Sequence, residues 1–183
     1  MSETFSYTEQ VKVQDYIKSG GKMFVSGAEI GWDLVDEADT ENNWSNGNPN
    51  DTPFFNNYLK AGYVGDDAGT HHVRGISSTA FDGLSFDFDD GTHGTYDPDY
   101  PDYLSTSGGS AEALYYGTTG TNVAGLTYTG TVSGGTSDCQ IVFFGFPFET
   151  IYNASDRESV MGAVRDYLGI EPAPVELSVF EVE

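Results

Sequence analysis

Basic residues are scarce in this chain of 183 residues, which has 7 Lys and Arg against 29 Asp and Glu and a formal net charge of -22. Nucleic-acid binding depends on clustered Lys and Arg side chains that displace counterions from phosphates, and the sequence has no such cluster. Anionic membranes are disfavoured for the same reason. We therefore expect neither nucleic acid nor membrane as a partner, and the acidic surface favours solubility or cation binding.

Cysteine and long apolar runs are also nearly missing. Cys139 is the only cysteine, so no internal disulfide can form and the redox compartment cannot be inferred. The thiol follows Asp138 and opens an apolar stretch, which predicts a buried structural residue and not a nucleophile. No apolar run reaches the 18 residues of a membrane span, and no amino-terminal export signal is recognisable.

Glycine and aromatic residues are abundant, with 23 Gly, 12 Tyr, 12 Phe and 2 Trp. Together with 38% hydrophobic residues, this composition predicts a folded, loop-rich protein with one core. The helix pattern that ends at Leu168 is followed by Gly169 and then by a Pro-rich stretch. We therefore expect one domain over residues 1–170, with residues 171–183 as a linker and the start of a following segment.

Local patterns predict an α/β domain. A helix is expected over residues 8–19, ended by Gly20, and a strand over residues 22–26. That strand has few charges, which favours burial in a parallel sheet. Further helices are expected after Thr52 and over residues 155–168, and the remaining predicted strands cover residues 71–75, 83–88, 111–116, 123–128 and 139–144. The predicted fold is a three-layer, mostly parallel central sheet flanked by helices, with antiparallel additions and long acidic loops.

Three segments carry a resemblance to a known family: residues 16–27 (YIKSGGKMFVSG), 55–59 (FNNYL) and 143–149 (FFGFPFE). With the closing helix, they resemble the class I glutamine-amidotransferase-like domains, of flavodoxin-like fold, that occur as accessory modules in large secreted bacterial proteins. Xanthan-lyase-like polypeptides and metalloproteases are among these proteins. The resemblance implies an exported or cell-surface multidomain protein whose neighbouring domains are its partners.

The catalytic residues of that family are not found in this chain. The family places a cysteine on a tight turn after a strand, and a later His-x-Glu pair activates it. Here the turn after the first strand offers Ser26, Gly27 and Ala28, and the later segment has Phe146 and Phe148 before Glu149. The resemblance therefore implies a pseudoenzyme.

Two hydrolytic alternatives remain open at the level of sequence. Ser26 would be a nucleophile only if one of the three histidines, His71, His72 or His93, acted as its base. Glu29 and Glu149 would suit glycoside hydrolysis if they faced each other across a cleft. We otherwise expect Ser26 to be a small residue that permits close packing.

Aromatic residues in acidic loops provide the candidate binding surface. A non-catalytic module that contacts polysaccharide would use five of them, namely Trp32, Trp44, Tyr96, Tyr100 and Tyr103. Packing within the loops is the alternative role for these rings.

Calcium is the one cofactor that the sequence suggests. Hard oxygen ligands are concentrated in one loop-rich segment, at Asp87, Asp89, Asp90, Asp97 and Asp99, with Asp102 close by. The spacing does not match an EF-hand loop, and acidic loops are often only solvated. The adjacent His71 and His72 would point to opposite faces of a strand, which disfavours a zinc site.

The end of the chain favours a fragment of a longer exported protein. Residues 174–181 (PVELSVFE) alternate like a strand after a Pro-containing linker. They are similar to the start of the β-sandwich segment that precedes the sorting domain of many secreted bacterial proteins. We expect the strand over residues 175–182 to belong to the next segment of the longer protein.

Overall fold

The computed structural model describes residues 4–36 and 49–171. Three α-helices occur in these ranges: α1 (Tyr7–Lys18), α2 (Asp51–Asn57) and α3 (Ala154–Tyr167). A π-helical turn covers Trp32–Asp36 and a short 3-10 turn covers Phe148–Thr150. The eight strands are β1 (Lys22–Ser26), β2 (Ala61–Gly65), β3 (His72–Gly75), β4 (Ser85–Asp87), β5 (Tyr103–Thr106), β6 (Ala111–Tyr116), β7 (Val123–Gly130) and β8 (Cys139–Phe144).

The strands form one curled, mixed sheet that resembles half of a barrel. Its main order is β1-β8-β7-β6-β3-β4, and β5 branches from β7 to pair with β2. β1 and β8 are parallel, and every other pairing among the described strands is antiparallel. The predicted three-layer, mostly parallel fold is therefore wrong.

The connections explain why that prediction failed. Neighbouring parallel strands need a crossover of a dozen or more residues, usually a helix, whereas antiparallel strands need only a turn. No α-helix lies between β2 and β8, so this part of the chain runs back and forth through loops and turns. The one parallel pair joins the strand after α1 to the last strand, with residues 27–138 between them.

The core occupies both faces of the sheet, as the alternation in β8 demonstrates. Val142 and Phe144 pack on the side that α3 covers through Val160 and Val164. Phe143, one residue away, points to the side covered by α2. Successive side chains of a strand point to opposite faces. The run CQIVFF therefore contributes side chains to the hydrophobic core on each face of the sheet.

Strand limits were predicted more accurately than helix caps. The expected strands over residues 22–26, 111–116 and 139–144 are observed with those limits. α1 begins earlier than predicted because Ser6 and Glu9 form a capping box, with the Glu9 carboxylate accepting from Ser6 N at 2.8 Å. α3 is capped by Asn153, whose side chain accepts from Ser155 N, and not by Ser155 itself.

Two strands were not predicted from the sequence, β2 and β5. Gly62 and Gly65 both lie in β2 and pair with β5. A side chain at either position would collide with a residue of β5, Ser105 at Gly62 and Tyr103 at Gly65. Glycine at these positions thus leaves room for the side chains of the neighbouring strand. Within the described residues, no helix combines the length and apolar character needed to cross a membrane.

Candidate functional site

A cavity of about 770 Å³ opens past the carboxyl end of β1. The turn after that strand forms one wall, and the loop over residues 96–100 and the segment after β8 form others. We call it the acidic cavity, because six carboxylates line it: Glu29, Asp33, Asp66, Asp97, Asp99 and Glu149. Three aromatic side chains share the lining: Trp32, Tyr96 and Tyr100. Among the described residues, no Lys, Arg or His lines it.

Asp102 holds the turn that forms the first wall. Its backbone N–H donates to Ala28 O at 2.9 Å, and its Oδ2 accepts from Gly31 N at 2.6 Å. A Cβ atom on Gly31 would lie 2.9 Å from that same Oδ2, so glycine is needed for the carboxylate to approach the backbone. The turn continues into the π-helical segment through a bond from Asp33 N to Glu29 O. This rare geometry often occurs at functional sites.

Burial and like charges shift two carboxyl groups at this turn. Burial, followed by the nearby Asp66 and Asp33, raises the pKa of Glu29 to about 7. Burial raises the pKa of Asp102 to about 8, although its bond from Gly31 opposes the shift. Oδ1 of Asp102 has no hydrogen-bond partner among the described residues, so a negative charge on this buried group would be poorly stabilised. Near neutral pH, protonated carboxyl groups therefore stand beside ionised ones.

Two of the three aromatic side chains that line the cavity are exposed to solvent. Tyr96 and Tyr100 are 51% and 53% exposed, which makes their rings accessible to a ligand. The Tyr96 hydroxyl donates to Glu149 Oε1 at 2.8 Å, and burial followed by this bond raises the pKa of Tyr96 to about 12. Trp32 is half-buried on the π-helical turn. Aromatic rings and carboxylates thus share the lining of the cavity.

Ser26 has no histidine beside it. Its Oγ accepts from Phe148 N at 3.3 Å, which ties the end of β1 to the segment after β8. His71 bonds Asp97 at 2.9 Å, and His72 bonds Asp87 at 2.7 Å. His93 stacks on Tyr152 with ring centroids 4.0 Å apart. The geometry thus gives Ser26 a packing role and provides no base for it.

Two of the predicted ligand-binding aromatics lie elsewhere. Tyr103 belongs to β5 and packs against the core, with its ring beside Gly65 of β2. Trp44 lies outside the described residues. Cys139 is fully buried at the start of β8, where burial raises the pKa of its thiol. Sγ donates to Gly130 O at 3.2 Å, in keeping with a structural residue.

Four of the predicted calcium ligands divide between two places, and Asp87 bonds His72 instead. Asp97 and Asp99 line the acidic cavity, whereas Asp89 and Asp90 cluster with His93, their ligand atoms lying within 4.8 Å of one another. Both oxygens of Asp89 are already engaged: Oδ1 accepts from His93 N, and Oδ2 accepts from Thr95 N and Oγ1. Burial opposes the shift, but these bonds hold the pKa of Asp89 well below its ordinary value. A calcium site there stays a prediction.

Sequence reasoning missed two acidic residues of the cavity, Asp33 and Asp66, and suggested Asp102 only as a calcium ligand. Asp33 is buried and accepts from Thr4 N at 2.9 Å, and Asp66 follows the unpredicted strand β2. Asp102 sits in a Pro-containing segment directly before β5. Of these residues, only Asp66 had a position that indicates a site, because it directly follows a strand. That signal could not be used, since β2 was not predicted.

No family model matches the chain, and no curated protein matches it either.

Proposed function

We propose that the chain is a non-catalytic binding module that holds a carbohydrate in the acidic cavity. The observation that carries this proposal is the joining of three aromatic side chains, Trp32, Tyr96 and Tyr100, with several carboxylates around one cavity of about 770 Å³. This volume lies in the range of small-molecule sites, and such sites combine apolar walls with a few polar groups.

Carbohydrate chemistry fits this lining. A pyranose ring has an apolar face of C–H groups, which packs on an aromatic ring, and hydroxyl groups around its edge. Ionised carboxylates accept two or more hydrogen bonds each, and the neutral carboxyl group of Glu29 adds a donor. A sugar ring would pack on the exposed rings of Tyr96 and Tyr100, and hydrogen bonds to the carboxylates would fix its orientation.

Affinity electrophoresis of the full chain tests this proposal. Native gels cast with soluble xylan, mannan, glucan or partly deacetylated chitin should retard the protein in at least one case. Tyr100 makes no hydrogen bond within the described residues, so Tyr100→Ala should fold and weaken retention about tenfold, the equivalent of about 1.4 kcal/mol.

Tyr7→Ala is the matched control, since Tyr7 is 56% exposed and does not line the cavity. Retention that Tyr100→Ala leaves unchanged, or mobility unaffected by every polysaccharide, would contradict the proposal.

Glycoside hydrolysis is the second candidate, favoured by one observation: Glu29 and Glu149 line the same cavity. Burial raises the pKa of Glu29 to about 7, so this group would be protonated as a general acid requires. Reducing ends released from the same polysaccharides, and lost in Glu29→Gln, would identify the protein as a hydrolase. Ser26 is not part of this candidate, because its hydrogen bond joins Phe148 N.

We further propose that the module serves an exported multidomain protein. This part is supported by the resemblance of residues 16–27, 55–59 and 143–149 to accessory modules of secreted bacterial proteins, although the fold that the resemblance implied is wrong. The sequence of the full-length gene product tests it. An export signal with catalytic or anchoring domains beside this one is the expected result, and a cytoplasmic protein of this length would contradict it.

A further inference from the structure

The charge of the acidic cavity defines the ligand more narrowly than its shape does. We propose that the cavity binds a glycan that carries free, protonated amino groups, in preference to a neutral or an acidic glycan. This inference rests on the proposed function and deepens it by naming the chemical class of the sugar.

Six carboxylates line one cavity, and no basic residue among those described lines it with them. One of the six, Asp97, is paired with His71 at 2.9 Å, outside the lining. Glu29 lies close enough to Asp66, Asp33 and Asp99 for each of them to oppose its ionisation. A neutral sugar would accept and donate hydrogen bonds here but would leave this repulsion in place. An ammonium group offsets it and donates three hydrogen bonds to carboxylate oxygens.

The aromatic side chains that line the cavity also favour a glycan with protonated amino groups. A cation over the face of Trp or Tyr is attracted by the ring electrons, most strongly for Trp. Trp32 and Tyr100 therefore contribute both stacking for the sugar ring and attraction for the amino group. An acidic sugar would meet the carboxylates with its own negative charge and would be excluded.

The residues that line the cavity lie on several separate segments of the chain, and hydrogen bonds hold these segments together. Trp32 follows Gly31 on the turn that Asp102 holds, and Tyr96 is bonded to Glu149 at 2.8 Å. The cavity is thus defined by contacts between distant parts of the chain.

Isothermal titration calorimetry with three oligosaccharides of equal length tests the inference. The probes are an oligomer of glucosamine, its fully N-acetylated counterpart and an oligogalacturonate, at about pH 6, where amino groups are protonated. We expect the glucosamine oligomer to bind about tenfold or more tightly than the N-acetylated one, and the acidic oligomer not to bind. Raising the salt concentration should reduce this preference.

A chain of charge -22 attracts any polycation, so paired variants are required. Asp99→Asn/Glu149→Gln removes two charges from the cavity, and both residues are exposed. Asp15→Asn/Glu158→Gln removes two exposed charges on α1 and α3, outside the cavity. The first pair should abolish most of the preference for the glucosamine oligomer, whereas the second should leave it unchanged.

Each other outcome overturns a stated part of the proposal. Equal binding of the glucosamine and N-acetylated oligomers would overturn the charge preference while leaving the proposed glycan binding intact. Equal effects of the two variant pairs would mean that the preference for the glucosamine oligomer comes from general attraction to the acidic surface and not from the cavity. Oligolysine of equal charge that binds as tightly would make the ligand a basic peptide, and binding of no probe would overturn the inference together with glycan binding by these sugars.

Discussion

At the scale of single residues, Asp102 links the fold to the site. One carboxyl oxygen holds Gly31 N at 2.6 Å, the other has no partner among the described residues, and the side chain is fully buried. An ionised group would be costly in this position, so the structure favours its neutral form. Burial raises the pKa of Asp102 to about 8 for this reason.

The stability of Asp102→Asn should therefore change with pH relative to the wild type. In the wild type, unfolding between about pH 4 and pH 8 releases the proton of Asp102, so the free energy of unfolding falls as the pH rises. The amide does not titrate and still accepts from Gly31 N. Relative to the wild type, the free energy of unfolding of the variant should rise by up to about 5 kcal/mol across this pH range, measured by urea unfolding.

Asp15→Asn serves as the control, because Asp15 is exposed on α1 and should show no such trend. An Asp102→Asn variant whose advantage does not increase with pH would mean that Asp102 is ionised in the folded protein.

At the scale of elements, the site depends on how closely the end of β8 passes the segment before β5. Gly145 follows β8, donates to Ala124 O at 2.9 Å and lies against the carbonyl of Asp102. A Cβ atom at Gly145 would collide with that carbonyl, which belongs to backbone and cannot simply rotate away. The approach of these two segments sets where Asp102, and hence the turn after β1, can lie.

Gly145→Ala should destabilise the protein by about 1–3 kcal/mol, because overpacking forces the backbone to shift. Gly162→Ala is the matched control: no atom lies within 4 Å of its added methyl group, and Gly162 is inside α3. This control should gain about 0.5–1 kcal/mol from helix propensity. Thermal and urea unfolding measure both, and equal effects of the two substitutions would contradict the close approach described at Gly145.

Local patterns in the sequence predicted elements better than their arrangement. The first and last residues of β1, β6 and β8 could be predicted from the local sequence alone. β2 could not be recognised because its two glycines are explained by side chains of β5, which lie some 40 residues further along the chain. Parallel or antiparallel pairing is likewise decided by connections and tertiary contacts, so the predicted mostly parallel sheet was wrong.

At the scale of the whole molecule, the fold brings distant loops into one cavity. The sequence suggested Glu29, Trp32, Tyr96, Tyr100 and Glu149 as separate candidates, and all five line the acidic cavity. Asp33 and Asp66 were not suggested, and Asp102 was suggested only as a calcium ligand, since nothing local distinguishes these three from the other acidic residues of a chain with 29. Residue types could be predicted from the sequence, whereas their convergence depends on the topology of the sheet.

The most direct measurement of the central claim is an NMR titration of the isotopically labelled full chain with short oligomers of glucosamine and of N-acetylglucosamine. If the acidic cavity is the carbohydrate site, amide shifts should concentrate in the turn over residues 26–32 and the loop over residues 96–100. Amides of α3, such as that of Met161, should not move. Shifts centred on another surface, or no shifts with either oligomer at millimolar concentration, would contradict carbohydrate binding in the acidic cavity.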